Sequence, residues 1–89
     1  MYLVLYYDYI PEILEKRDPY REAHLQHAKA HLEKGLLQQA GAFNPPEQGM
    51  YIFKTDDETL VEEYARQDPY VINDLVSKWF IKKWNVVVG

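Results

Sequence analysis

The sequence predicts an α+β domain of order β-α-β-β-α-β, an antiparallel sheet with both helices on one face. Three observations carry that prediction. Four apolar runs have strand length, two of them at the ends of the chain. Helix-start and helix-stop residues bracket two longer amphipathic segments between them. With 89 residues, and no linker or internal repeat, there is material for one core and not two. A single domain over 1–89 is therefore expected.

Met1 to Tyr9 reads as the first strand, rich in Tyr, Val and Leu. One parity carries Leu3, Leu5, Tyr7 and Tyr9, the other Tyr2, Val4, Tyr6 and Asp8, so both faces are largely apolar and both need cover. Pro11 to Arg17 suits a short helical turn. Asp18 is placed as the N-cap of the first long helix, with Pro19 at the first helical position and Glu22 in the first turn. That helix runs to about Lys34 and stops at Gly35. At about 100° per residue, Leu25, Ala28, Leu32 and Leu36 form its apolar stripe, opposite Glu22, Lys29 and Glu33.

Leu36 to Phe43 follows as the second strand, then a loop through Asn44-Pro45-Pro46-Glu47-Gln48-Gly49, then a third strand from Met50 to Lys54. Thr55 or Asp56 is the expected cap of a second helix, whose inner face is Leu60, Val61, Tyr64 and Ala65. Pro69 disfavours helical geometry at Asp68, so the helix ends there, and a short helical segment over Pro69–Val76 leads to a last strand from Lys78 to Val88. Helices on one face leave the other, with its Tyr, Phe, Val and Trp, without cover. A second copy of the chain supplies it most simply, so a homodimer through the helix-free sheet face is expected.

Composition removes several kinds of function. Cysteine is absent, which excludes disulfides, Cys-ligated metal and a thiol nucleophile. A net charge of −4 gives no attraction to phosphate backbones or anionic lipid, so neither nucleic acid nor membrane is an expected partner. The apolar start Met1–Tyr7 has no basic residue before it and is far shorter than the roughly 20 residues of a spanning helix, so a cytoplasmic protein is expected. Ser77 is the only serine and lies in no nucleophile-elbow pattern, and no Gly-rich phosphate loop occurs.

What remains is acid–base chemistry. His24, His27 and His31 share the first helix within about 60° of projection. His27 and His31, at i and i+4, have metal-binding spacing, but a site needs a third ligand and the H-E-x-x-H pattern is absent, so they read as polar residues bordering the apolar stripe, and no metal is assigned. His24 lies beside that stripe, at the edge of the core, where an imidazole serves either as general acid or base or as a structural donor. Asp68 before Pro69 has the form of a helix cap, as does Asp18 before Pro19 in the same Asp-Pro-Tyr tripeptide. Asp68 also falls at the C-terminal end of the preceding helix, where the macrodipole disfavours a carboxylate, and such local conflicts gather at functional sites.

Arg21-x-x-His24 on a helix, Gly35-Leu36-Leu37-x-x-Ala40-Gly41, Gly49 opening a strand and Asp68-Pro69-Tyr70-Val71 together resemble the YciI-like family, over nearly the whole chain to Lys82-Lys83-Trp84. The resemblance implies a ferredoxin-like fold of the dimeric α+β barrel type and an active site built on a histidine and an aspartate, here His24 and Asp68. Where the family often has proline after the glycine of the second strand, this chain has Ala42 after Gly41.

The function expected is a cofactor-independent lyase, isomerase or dehydrochlorinase-like enzyme on a small cyclic or aromatic ligand. Asp68 would fix the tautomer of His24, and Tyr6, Tyr7, Tyr70 and Gly41 would line the pocket. The alternative is a non-catalytic dimeric binding or structural module of the same fold, with Asp68 as cap and His24 as core-edge donor. RNA binding is a third reading, since Gly49-Met50-Tyr51-Ile52-Phe53 loosely matches an RNA-recognition strand, but Gln48 stands where that pattern has a basic residue.

Overall fold

A computed structural model describes all 89 residues, Met1–Gly89. The strands are β1 (Tyr2–Tyr9), β2 (Leu37–Ala42), β3 (Gln48–Lys54) and β4 (Val76–Trp84). The helices are α1 (Ile13–Lys16), α2 (Asp18–Glu33), α3 (Glu58–Gln67) and α4 (Pro69–Ile72). The sheet runs β2-β3-β1-β4 with every neighbouring pair antiparallel, which is the predicted ferredoxin-like topology.

Side-chain parity sorts the two faces. Leu3, Leu5 and Tyr7 point to the helices and are fully buried, and their partners in register, Phe53 and Tyr51, do the same. With Val61, Tyr64 and Ala65 of α3 they form the main core. A Leu→Ala change at Leu5, which has no exposure at all, would cost about 2–5 kcal/mol. A smaller cluster of Ile13, Tyr70 and Leu75 closes the end where α1, α4 and the start of β4 meet. On the opposite face Tyr6 stacks on Phe80 at 5.2 Å, Tyr2 meets Trp84 at 6.2 Å, and Lys82 lies over the rings of Tyr6 and Phe80. The apolar content of both parities thus has the expected origin in the sheet.

Four local expectations are corrected. Asp18 is the first residue of α2 and makes no side-chain cap hydrogen bond. The cause is Arg17, whose backbone is already helical (φ −74°, ψ −24°), so the amide of Tyr20 donates to the Arg17 carbonyl instead of to a carboxylate. The Leu25–Ala28–Leu32 stripe is not the buried face of α2: Leu25 and Leu32 remain exposed over the edge strand β2, and His24 is the one buried residue of that helix. The cap of α3 is Asp57, which accepts from the amide of Thr59 at 2.9 Å, and Leu60 stays exposed while Val61, Tyr64 and Ala65 are buried. Finally, β4 begins at Val76 and stops at Trp84, because its neighbour β1 begins at Tyr2, the partner of Trp84, and offers nothing further to pair with. Val87 and Val88 lie beyond it, exposed. Gly35, at φ +78°, ends α2 in the left-handed conformation that glycine adopts without strain.

Candidate active site

The fold brings His24 and Asp68 together from 44 residues apart in sequence. α2 presents His24 toward the sheet. Asp68 stands at the joint between two helices, ending α3 and capping α4 with an extended backbone (φ −70°, ψ 125°). Its carboxylate is wholly buried and accepts three hydrogen bonds: from the His24 ring at Nδ1 (2.8 Å), the Tyr7 hydroxyl (2.8 Å) and the Tyr70 amide (3.0 Å). Three donors converging on one carboxyl suit its ionised, acceptor-only form, and they fix Nδ1 of His24 as the protonated nitrogen of the neutral ring.

The other ring nitrogen, Nε2, lies 3.3 Å from the hydroxyl of Tyr51, which in turn lies 2.8 Å from the hydroxyl of Tyr9. Burial is the main cause that holds these phenols in their protonated form. It pushes Tyr9 up to about 12 and carries Tyr7, Tyr51 and Tyr64 above the usual phenol range, with the charge of Asp68 adding to it. The chain Asp68–His24–Tyr51–Tyr9 can therefore run in either direction. With neutral His24, Tyr51 donates to Nε2 and accepts from Tyr9. With protonated His24, Nε2–H donates to Tyr51, which donates to Tyr9. Neither charge state leaves a member of the chain unpartnered.

His24, Tyr51, Tyr9 and Tyr70 open onto a cavity of about 290 Å³ between α2, the loop before β3 and the helix-facing side of the sheet. That is roughly twice the ~150 Å³ that accommodates benzene in an engineered protein cavity, room for a monocyclic compound with substituents. Larger depressions, among them one of about 450 Å³ over Gln39, Gly41, Met50 and Ile52, lack the His24 ring, so the cavity that holds it is the candidate site.

The residues singled out in the sequence divide clearly. Tyr70 lines the cavity, with its ring stacked on His24 at 3.7 Å, and the backbone of Gly41 forms part of the wall. Tyr7 belongs to the site from behind, holding Asp68 and not the cavity wall. Tyr6 is corrected: its parity puts it on the helix-free face against Phe80, away from His24. His27 donates through Nε2–H to the Tyr64 carbonyl (2.9 Å) and His31 through Nδ1–H to the His27 carbonyl (2.8 Å), so both act as polar trim around Tyr64. Tyr51 and Phe53 are buried beneath the helices, so the aromatics of the RNA-like segment form no exposed stacking surface. Tyr9, Tyr51 and Arg17 went unrecognised as site residues. Tyr51 shares the parity of Tyr7, and Arg17, Arg21, His24 and Ala28 share one helical face, but only register and packing reveal what those faces meet.

The chain is thus a ferredoxin-like domain with a buried His–Asp pair beside a small cavity walled in part by tyrosines. The family model of the YCII-related domain matches residues 1–85, and the chain belongs to that family. No curated protein matches it in sequence.

Among solved structures it is similar to 5-chloro-2-hydroxyhydroquinone dehydrochlorinase from Burkholderia phenoliruptrix AC1100, in complex with 2,5-dihydroxybenzoquinone. The identity is 18%, the TM-score 0.80, and 96% of this chain and 94% of that one are covered. It is also similar to an antibiotic biosynthesis monooxygenase, at 10% identity and a TM-score of 0.61, with 98% of each chain covered. At these identities the likeness is one of fold, a fold used by enzymes of small molecules.

Proposed function

We propose that the chain is a cofactor-independent acid–base enzyme, a lyase, isomerase or dehydrochlorinase-like catalyst, acting on a small cyclic or aromatic compound. The observation that carries this reading is the 2.8 Å bond from His24 Nδ1 to a fully buried Asp68, in a ring whose Nε2 meets the hydroxyl of Tyr51, a residue of the same cavity. A proton leaves an acidic C–H or O–H of the substrate for Nε2 as the Tyr51 O–H turns from Nε2 to Tyr9, while the electron pair of the broken bond stays on the substrate. In an elimination that pair forms a new π bond as the leaving group departs with its own electrons. In an isomerisation the proton returns at another atom. Asp68 stabilises the imidazolium between these events, and such a positioned base contributes about 10²–10⁴-fold. The similar dehydrochlorinase, whose ligand is a dihydroxybenzoquinone, supports a small oxygenated ring as the ligand class.

One observation favours a second reading, a non-catalytic binding module: Asp68 Oδ1 accepts the Tyr70 amide, a structural cap that needs no chemistry. Asp68→Asn separates the two. A screen of small cyclic acids and phenols should find turnover that falls at least about a hundredfold in both Asp68→Asn and His24→Ala, with folding intact. Turnover insensitive to both substitutions rejects the His24–Asp68 mechanism, and none across the screen leaves the binding module.

The helix-free face is proposed to pack against a second copy. Its support is the row Tyr2, Tyr6, Phe80 and Trp84, with Trp84 45% exposed. Light scattering should give twice the chain mass, and Trp84→Glu should reduce it to one; a monomer at tens of micromolar rejects the dimer.

A further inference from the structure

The molecule has three buried side-chain polar atoms without a hydrogen-bond partner: Arg17 Nε, Tyr70 Oη and Tyr64 Oη. Two of the three, on Arg17 and Tyr70, belong to residues that line the same cavity as His24. Nearly all buried donors in folded proteins find an acceptor, so two orphans on one cavity ask for an explanation. Arg21, one helical turn beyond Arg17, lines that cavity too. Neither guanidinium belongs to any of the three ion pairs of the molecule, which are Met1–Asp56, His24–Asp68 and Arg66–Glu62. No aspartate or glutamate lines the cavity, although the chain as a whole carries a net charge of −4. Asp68, the carboxylate bonded to His24, is engaged by His24, the Tyr7 hydroxyl and the Tyr70 amide.

We propose that Arg17, Arg21 and Tyr70 form an anion subsite, and that the ligand of this cavity is a cyclic or aromatic compound bearing a carboxylate. The carboxylate accepts from the terminal guanidinium N–H groups of Arg17 and Arg21, beside the ring of Tyr70. The planar fork of a guanidinium matches a carboxylate better than any other side chain does. The ring of the ligand then lies over the apolar part of the wall, Leu25 and Ala28, within the cavity that His24 also lines. This deepens the acid–base reading by naming the group that orients the substrate, and it rests on that reading for the role of His24. Arg17 and Arg21 are positioning residues, not proton carriers.

The test uses binding, so that it stands apart from turnover. Benzoate and benzamide have the same shape and differ in charge. Titrated into the full chain and followed by NMR at the His24 ring and the arginine Nε–H signals, benzoate should bind at least about tenfold more tightly than benzamide, and added salt should narrow the gap. Arg17→Gln and Arg21→Gln should each erase most of that preference by weakening benzoate far more than benzamide. Arg21 is exposed, so Arg21→Gln keeps the test valid if Arg17→Gln disturbs folding. Equal affinity for the two probes, a preference that survives Arg21→Gln, or no binding of benzoate up to its solubility overturns the subsite. Loss of the acid–base reading looks different: Asp68→Asn is then silent in turnover while the preference for benzoate persists.

Discussion

The imidazole of His24 lies flat on the phenol of Tyr70, centroids 3.7 Å apart and planes 3° from parallel, while the amide of Tyr70 donates to the carboxylate that His24 also donates to. One residue thus holds both members of the pair, His24 by its ring and Asp68 by its backbone. Tyr70→Ala removes the ring and keeps the amide. It should cost about 3–5 kcal/mol in urea denaturation and move the His24 ring protons downfield as the ring current disappears. Tyr70→Phe keeps the stack and deletes an unpartnered buried hydroxyl, so it should be at least as stable as the parent. Unmoved His24 ring protons in Tyr70→Ala would contradict the stacked arrangement.

Asp68 tests whether its charge or its shape is the essential feature. In Asp68→Asn one oxygen still faces the Tyr70 amide, and only an oxygen can accept there. The same oxygen accepts from His24 Nδ1, so the amide orientation and the histidine tautomer are both fixed, and the Tyr7 hydroxyl turns to accept from the new NH₂. Asp68→Asn should therefore fold and keep Nδ1–H on neutral His24, read by long-range proton–nitrogen NMR. Asp68→Ala leaves three donors without an acceptor and should lose at least about 3 kcal/mol. An Asn variant with the proton moved to Nε2 would show that the Tyr70 amide does not hold the acceptor in place.

Much of this architecture was legible because its signals are local. Alternating parity in β1, the Pro-rich loop before β3 and Gly35 at the end of α2 each act within a few residues. Several of the expectations that failed depended on neighbours far along the chain. Leu25 and Leu32 form a regular stripe, yet β2 beneath them is an exposed edge strand, so the stripe covers little and the polar His24 takes the interior position. The two Asp-Pro-Tyr tripeptides are identical in sequence but not in use, because Asp18 continues a helical run from Arg17 whereas Asp68 interrupts one. His24 and Asp68 were recognised through a family resemblance and a helix-end conflict. Tyr51 and Tyr9 were not, since their hydroxyls meet His24 and each other only through strand register.

Gly49 makes room for that hydroxyl chain. It pairs with Tyr7 and faces the helices, and a Cβ there would lie 2.9 Å from the ζ carbon of Tyr9. Gly49→Ala must swing the Tyr9 ring aside, breaking its 2.8 Å bond with Tyr51 and its edge contact with Tyr70. The expected cost is about 1–3 kcal/mol, and it should shrink when Tyr9 is first replaced by Leu, which removes the ring that is struck. Equal costs in the two backgrounds would mean that the strain arises elsewhere.

His27 gives the fold a pH dependence separate from the His24–Asp68 pair. Its ring is stacked on Tyr64 at 4.3 Å and donates Nε2–H to the Tyr64 carbonyl. Burial holds its pKa below the usual 6.5, helped by the nearby imidazoles of His31 and His24 and opposed by the Tyr64 carbonyl and the charge of Asp68. A histidine whose pKa is lower in the folded state takes up a proton more readily when unfolded. Its contribution is therefore fully present above the unfolded value of 6.5 and is lost as the pH falls from there through the folded value. Between pH 7.5 and pH 5 the urea midpoint of the parent protein should drop by more than that of His27→Gln. The other histidines and all carboxylates are common to both proteins, so the difference between the two curves isolates His27. A variant that loses as much stability on acidification as the parent would show that its ring does not titrate against the fold.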